Sequence, residues 1–136
     1  MKKNLSTSDL IENEKKAKKR LGSWGEEQAR IYLIAQGFQL LHRNWRLGIG
    51  GEIDLIVCDD DFLVFVEVKT RQENSFIPAE LNISIKQQKK LIEMADKYLN
   101  YFPNFSQSVR FDSIGVTLLT DQTYKIVHIK EIFHSW

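Results

Sequence analysis

Two apolar runs joined by three aspartates, GEIDLIVC and FLVFVEVKTR on either side of Asp59–Asp61, constrain this chain more than any other feature. Both are rich in Ile, Val, Leu and Phe and are bounded by glycine or acidic residues, which predicts strands over about 52–58 and 62–70. The aspartates between them suit a tight turn, so the pair reads as a hairpin. With Asp60 and Asp61 at the tip, opposed positions sum to 121: Val57 faces Val64, Leu55 faces Val66 and Ile53 faces Val68. That face is wholly apolar. The other carries Cys58 with Leu63, Ile56 with Phe65, Asp54 with Glu67 and Glu52 with Lys69, because opposed residues share a side of the sheet. A slip of one residue would mix the two faces, so hydrophobic matching selects this register.

The second face thus grades from core to charge, and it opposes two carboxylates at the end of an apolar surface. Such a pair repels and is poorly solvated. A divalent cation relieves the repulsion, since Mg²⁺ is commonly held by one or two carboxylates plus substrate phosphates. Salt bridges from Lys69 to Glu52 or Glu67 on a solvated strand end are the structural alternative.

Around the hairpin the chain reads as helix, three strands, helix, two strands. LGSWGEEQARIYLIAQG predicts a helix with Trp24, Ala29 and Leu33, and with Ile31 and Ile34 as further apolar positions, stopped at Gly37. FQLLHRNWR (38–46) is the first strand. A polar loop containing Pro78 follows the hairpin, and Ser84 caps a second helix with Leu91, Ala95, Tyr98, Leu99 and Phe102 on its apolar stripe, ended by Pro103. VRFDSIGVTLL and YKIVHI form a last hairpin turning near Asp121 and Gln122. A helix between two strand groups serves as a crossover, making the third and fourth strands parallel neighbours in a mixed sheet with helices packed on it. The fold class is therefore α/β.

The 136 residues suffice for one core, assigned to residues 21–136 as a single α/β domain. Residues 1–20 form a basic leader, helical or disordered, with a charge balance of +4 against −3 for the remainder. Its EKKAKKR stretch suits contact with phosphate backbones or is simply a solvated segment. No run of 18 apolar residues is present and the N-terminus lacks a signal-peptide core, so a soluble cytoplasmic protein without membrane contact is expected. The lone Cys58 reads as a core thiol, and His42, His128 and His134 do not share metal-ligand spacing on one element.

Taken in order, LGSWGEEQA, LHRNWR, GEIDLI, VFVEVKTR, IKQQKKLIEMADKYL, VRFDSIGV and IVHIKEIF resemble the YraN-like family, also called UPF0102, over about residues 21–133. These small bacterial proteins are assigned to the restriction-endonuclease-like fold, a mixed central sheet flanked by helices. Asp54 followed by Glu67-Val68-Lys69 looks like the D…(E)xK signature of that nuclease superfamily. The resemblance implies that Asp54, Glu67 and the backbone carbonyl of Val68 hold Mg²⁺ or Mn²⁺, with Glu26 as the helical acid that often joins the site. Lys69 is implied to orient or activate water and to stabilise the charged transition state. The implied reaction is in-line attack of water on a DNA phosphodiester, structured or branched DNA included, leaving 5′-phosphate and 3′-hydroxyl ends. Ile53 stands where the superfamily has proline, and Ile85 where relatives often do.

For contact with DNA the candidates are Arg46, Arg71, Lys86, Lys89 and Lys90, beside Arg43 and Trp45. Arg71 continues the face of Glu67 and Lys69, while the three lysines open the second helix, where the dipole also favours anions. The expected protein is a metal-dependent endonuclease, in an assembly for which a homodimer is one candidate. The alternative is a nucleic-acid-binding or assembly protein that keeps the acids without cutting.

Overall fold

A computed structural model describes residues 4–74 and 83–132. In chain order it contains α1 (Thr7–Ala35), β1 (Gln39–Trp45), β2 (Ile53–Cys58), β3 (Phe62–Gln72), α2 (Ile85–Tyr101), β4 (Ser108–Leu118) and β5 (Tyr124–Ile129). The strands form one sheet in the order β1-β2-β3-β4-β5. All neighbours are antiparallel except β3 and β4, which run parallel with α2 between them in sequence. The α/β class and the crossover follow the sequence reading. The loop around Pro78 and His134 lie outside the described residues.

The two helices cover opposite faces. Ala29 and Leu33 of α1 pack on Leu55, Val57, Val64, Val66, Ile114 and Val116. Leu91, Met94, Ala95 and Tyr98 of α2 pack on Ile53, Ile56, Cys58, Leu63, Phe65 and Phe111. Tyr98 stands at the centre of the second layer, with the rings of Trp45 and Phe65 at 5.1 and 5.6 Å, both edge-on. Such contacts add to the burial of the ring itself. Ile31 and Ile34, expected on the apolar stripe of α1, are each 46% exposed, because the sheet-facing arc of the helix is only wide enough for Gly25, Ala29 and Leu33.

Helix α1 begins well inside the leader. Ser6 and Asp9 form a capping box, each side chain accepting the other's backbone N–H, which supplies partners for amides that the helix start leaves open. At the other end Gly37 adopts φ 97°, and Phe38 N–H donates to Leu33 O, closing the helix in a Schellman turn. Ser84 and Gln87 form the same kind of box for α2.

Gly25 sets the approach of α1 to β3. A methyl group placed there would overlap Thr70 Oγ1, Cγ2 and Cβ, so the helix backbone lies against the Thr70 side chain as closely as only glycine permits. The hairpin turns as expected: Asp59 accepts from the N–H groups of Asp61 and Phe62, and the ladder runs from Cys58 opposite Leu63 to Leu55 opposite Val66. Beyond that point the pattern departs from the ideal hairpin. The expected pairs at Asp54, Ile53 and Glu52 do not continue the ladder, and Ile53 packs with Ile56 and Trp45 on the α2 side. The side chain of Asp54 has taken over the backbone donor that the next ladder bond would use.

Candidate functional site

Where β2 and β3 part, Val68 N–H donates to Asp54 Oδ2 at 2.8 Å. Within a strand a residue's N–H and C=O leave by the same edge, so the Val68 carbonyl also faces this opening. Asp54 is only 9% exposed. Glu26 enters from α1, one residue past the Gly25 contact, and Glu52 from the segment leading into β2. Single carboxylate oxygens of Glu26, Glu52 and Asp54 all lie within 4.8 Å of one another.

Burial pushes the Asp54 carboxyl up to about 8, and the nearby charges of Glu67, Glu26 and Glu52 push in the same direction against the Val68 hydrogen bond. Glu67 is raised as well, by burial first, with Lys69 opposing and Glu52 and Glu26 adding to the rise. A site of this kind gains either from protons or from a cation. Its donors are all oxygen, the set that suits hard divalent ions.

Asn44 and Arg46 brace the acids. Asn44 sits at φ 52°, a left-handed conformation that asparagine tolerates better than most residues, and its Nδ2 donates to Glu26 Oε2 at 2.9 Å and to Glu52 Oε1 at 3.2 Å. Arg46 donates to Glu52 Oε2 through Nε and Nη2 at 2.8 and 2.6 Å. Arg43 donates to Glu27 Oε2 at 2.8 Å and to the Ser23 carbonyl and lies 3.7 Å from Glu26 Oε2, tying β1 to α1.

Of the residues singled out from the sequence, the structure brings Glu26 and Asp54 together and places the Val68 N–H on Asp54, while Glu67 acts on Asp54, and Lys69 on Glu67, through charge. Among the basic candidates, Arg46 holds Glu52 and the Arg71 Nε donates to Thr117 Oγ1 at 3.3 Å. Lys86, Lys89 and Lys90 are exposed on the first turns of α2. Lys90 lies across the loop before β2, its Cε 2.6 Å from where a Gly51 side chain would begin.

The sequence did not single out Glu52 or Asn44 as part of the cluster. Glu52 carries a signal, being an acid two residues before Asp54, but the ideal register gave it to Lys69. Asn44 carries none, since its role depends on a left-handed turn inside a strand. Ser113, beside Glu67 in the β3–β4 register, is fully buried, and its Oγ has no hydrogen-bond partner.

Fold and cluster together define an α/β domain with an oxygen-only acidic site at the point where two antiparallel strands part. The chain matches the uncharacterised protein family UPF0102 over residues 25–116 and belongs to that family. It is 38% identical over 116 residues to a UPF0102 protein of Parabacteroides distasonis, spanning 85% of this chain and 93% of the relative. A UPF0102 protein of Janthinobacterium sp. is 48% identical over 99 residues, 73% of this chain and 79% of its own length. One from Clostridium botulinum is 37% identical over 122 residues, 89% of this chain and 99% of its own.

Proposed function

We propose that this protein is a Mg²⁺- or Mn²⁺-dependent nuclease that hydrolyses DNA phosphodiesters. The observation that carries the reading is the convergence of Glu26, Glu52 and Asp54 within 4.8 Å, with Asp54 fixed by Val68 N–H and Glu67 close enough to raise its pKa. Asp54, Glu67, the Val68 carbonyl and Glu26 or Glu52 would hold the ion. When bound, the ion supplies Lewis-acid polarisation of the phosphate and a lowered pKa for water.

The protein's own groups supply the rest. The Val68 N–H holds the Asp54 carboxylate in one orientation, so a ligand oxygen is in place before substrate arrives. Asn44 and Arg46 fix Glu26 and Glu52 in the same way. Lys69, beside Glu67 on β3, can donate to a phosphate or water oxygen and stabilise the added negative charge of the transition state. In the hydrolysis the water oxygen forms a bond to phosphorus and gives up a proton to solvent as the bond to the 3′ oxygen breaks, and the 3′ oxygen takes up a proton from solvent.

One observation favours a second reading, a DNA-binding protein that does not cut. Arg46 already neutralises Glu52 through two hydrogen bonds, so part of the acid cluster has a partner without any metal. The test is incubation of the purified chain with single-stranded, duplex and branched DNA in Mg²⁺ or Mn²⁺. Cleavage should appear and should vanish in EDTA, in Asp54→Asn and in Lys69→Ala. Equal cutting by these variants would remove the site assignment, and salt-sensitive binding without cutting would select the second reading.

A further inference from the structure

The first turns of α1 form a second charged surface, outside the matched family region that begins at Gly25. Every residue from Asn4 to Arg20 is exposed, and burial along α1 begins only at Leu21. Charge along this arm is segregated. Asp9, Glu12 and Glu14 occupy the outer turns, whereas Lys15, Lys16, Lys18, Lys19 and Arg20 occupy the inner ones without an acid among them. None of these five makes a salt bridge among the described residues.

The helix relates this row to the acid cluster. It is unbroken from Thr7 through Glu26. At about 100° per residue, Lys19 and Lys15, seven and eleven positions before Glu26, fall within about 20° of its direction. A rise of about 1.5 Å per residue puts them about 10 and 16 Å out from Glu26 along the same face. Arg20 points about 120° away.

We propose that this lysine row is a phosphate-backbone track, on which DNA lying in the acid site continues outward for about 5 base pairs at about 3.4 Å each. The proposal rests on the nuclease reading for the direction of the strand, and it adds a length requirement on one side of the cut. Charge selects the occupant. A second copy in a helical seam would need apolar residues every three or four positions, but from Glu12 to Arg20 Ala17 is the sole apolar residue.

The test measures binding of the full chain to a fluorescent 30-base-pair duplex in EDTA, across a potassium chloride series. Lys15→Gln/Lys19→Gln should make the salt slope shallower by about 2, at about 0.9 per lost phosphate contact. Lys15→Arg/Lys19→Arg should keep the slope, and Arg20→Gln should change it little. Circular dichroism should show unchanged helix content in all three. Helix loss confined to the Gln variant would remove the track as the cause, as would an equal effect from Arg20→Gln.

Outcomes for the two readings separate. A shallower slope with no cleavage on any substrate upholds the track and ends the nuclease reading. Cleavage with an unchanged slope ends the track alone, and lysine-dependent capture by phosphatidylserine vesicles in that case assigns the row to a lipid surface. Absence of any DNA binding at 50 mM salt ends both.

Discussion

The backbone N–H of Val68 and the carboxylate of Asp54 are joined at 2.8 Å, and this bond lies where the β2–β3 ladder stops. A side chain has replaced a backbone acceptor, which holds a buried acid at the mouth of the gap. Its first consequence is electrostatic.

In the metal-free protein Asp54 is raised by burial, then by Glu67, to about 8, from 3.8 as an unperturbed group. The folded state therefore binds the proton more tightly than the unfolded one. Stability from this group is fully present below pH 3.8 and is lost as pH rises through about 8. Urea midpoints in EDTA should fall between pH 5 and pH 8.5, and Asp54→Asn should flatten that fall. Added Mg²⁺ should restore the wild-type midpoint at pH 8.5 if the cluster binds it. An equally steep fall in Asp54→Asn would assign the pH dependence elsewhere.

Asp112 behaves in the opposite sense. Burial raises its pKa, but bonds from His128, from Arg110 and from the Glu131 N–H outweigh this and leave it lowered. Arg110 donates through Nε and Nη2 at 2.9 Å each and stacks 4.7 Å over the Phe62 ring, while His128 Nε2 lies 2.7 Å from Oδ2. Stability from this group is present above pH 3.8 and is lost as pH falls through the lower folded value. Asp112→Ala leaves Arg110 buried without its partner and should cost about 3–5 kcal/mol in equilibrium unfolding. A cost below about 1 kcal/mol would mean that Arg110 reaches solvent or another acid.

Gly25→Ala should destabilise by about 1–3 kcal/mol, because the new methyl meets Thr70 Oγ1 at 1.8 Å and Cβ at 2.7 Å. The displaced helix should also carry Glu26 off the cluster and weaken metal affinity measured by calorimetry. Thr70→Gly removes the obstructing atoms, so a double-mutant cycle should be non-additive in the compensating direction. Strict additivity would show that Gly25 and the Thr70 side chain are not in close approach.

Much of this molecule was legible in the residues themselves. Matching apolar faces at Cys58–Leu63, Ile56–Phe65 and Val57–Val64 selects one register, and a helix between two strand groups makes β3 and β4 parallel. Both follow from local periodicity and from the cost of exposing a misaligned strand. That Asp54 and Glu67 come near each other was visible on the same ground, although the ladder stops before they pair.

What periodicity could not reach was the end of the hairpin. An ideal strand pair sends Glu52 to Lys69, whereas the folded chain sends it to Asn44, Arg46, Glu26 and Asp54. That exchange depends on Gly25 admitting α1 close to β3 and on Asn44 turning left-handed inside β1, and neither is encoded by neighbours in sequence. The sequence alone thus determined the register, the crossover and the presence of misplaced acids. Only the tertiary structure decided which acids meet, because a carboxylate's partners are set by distances between elements that lie apart in the sequence.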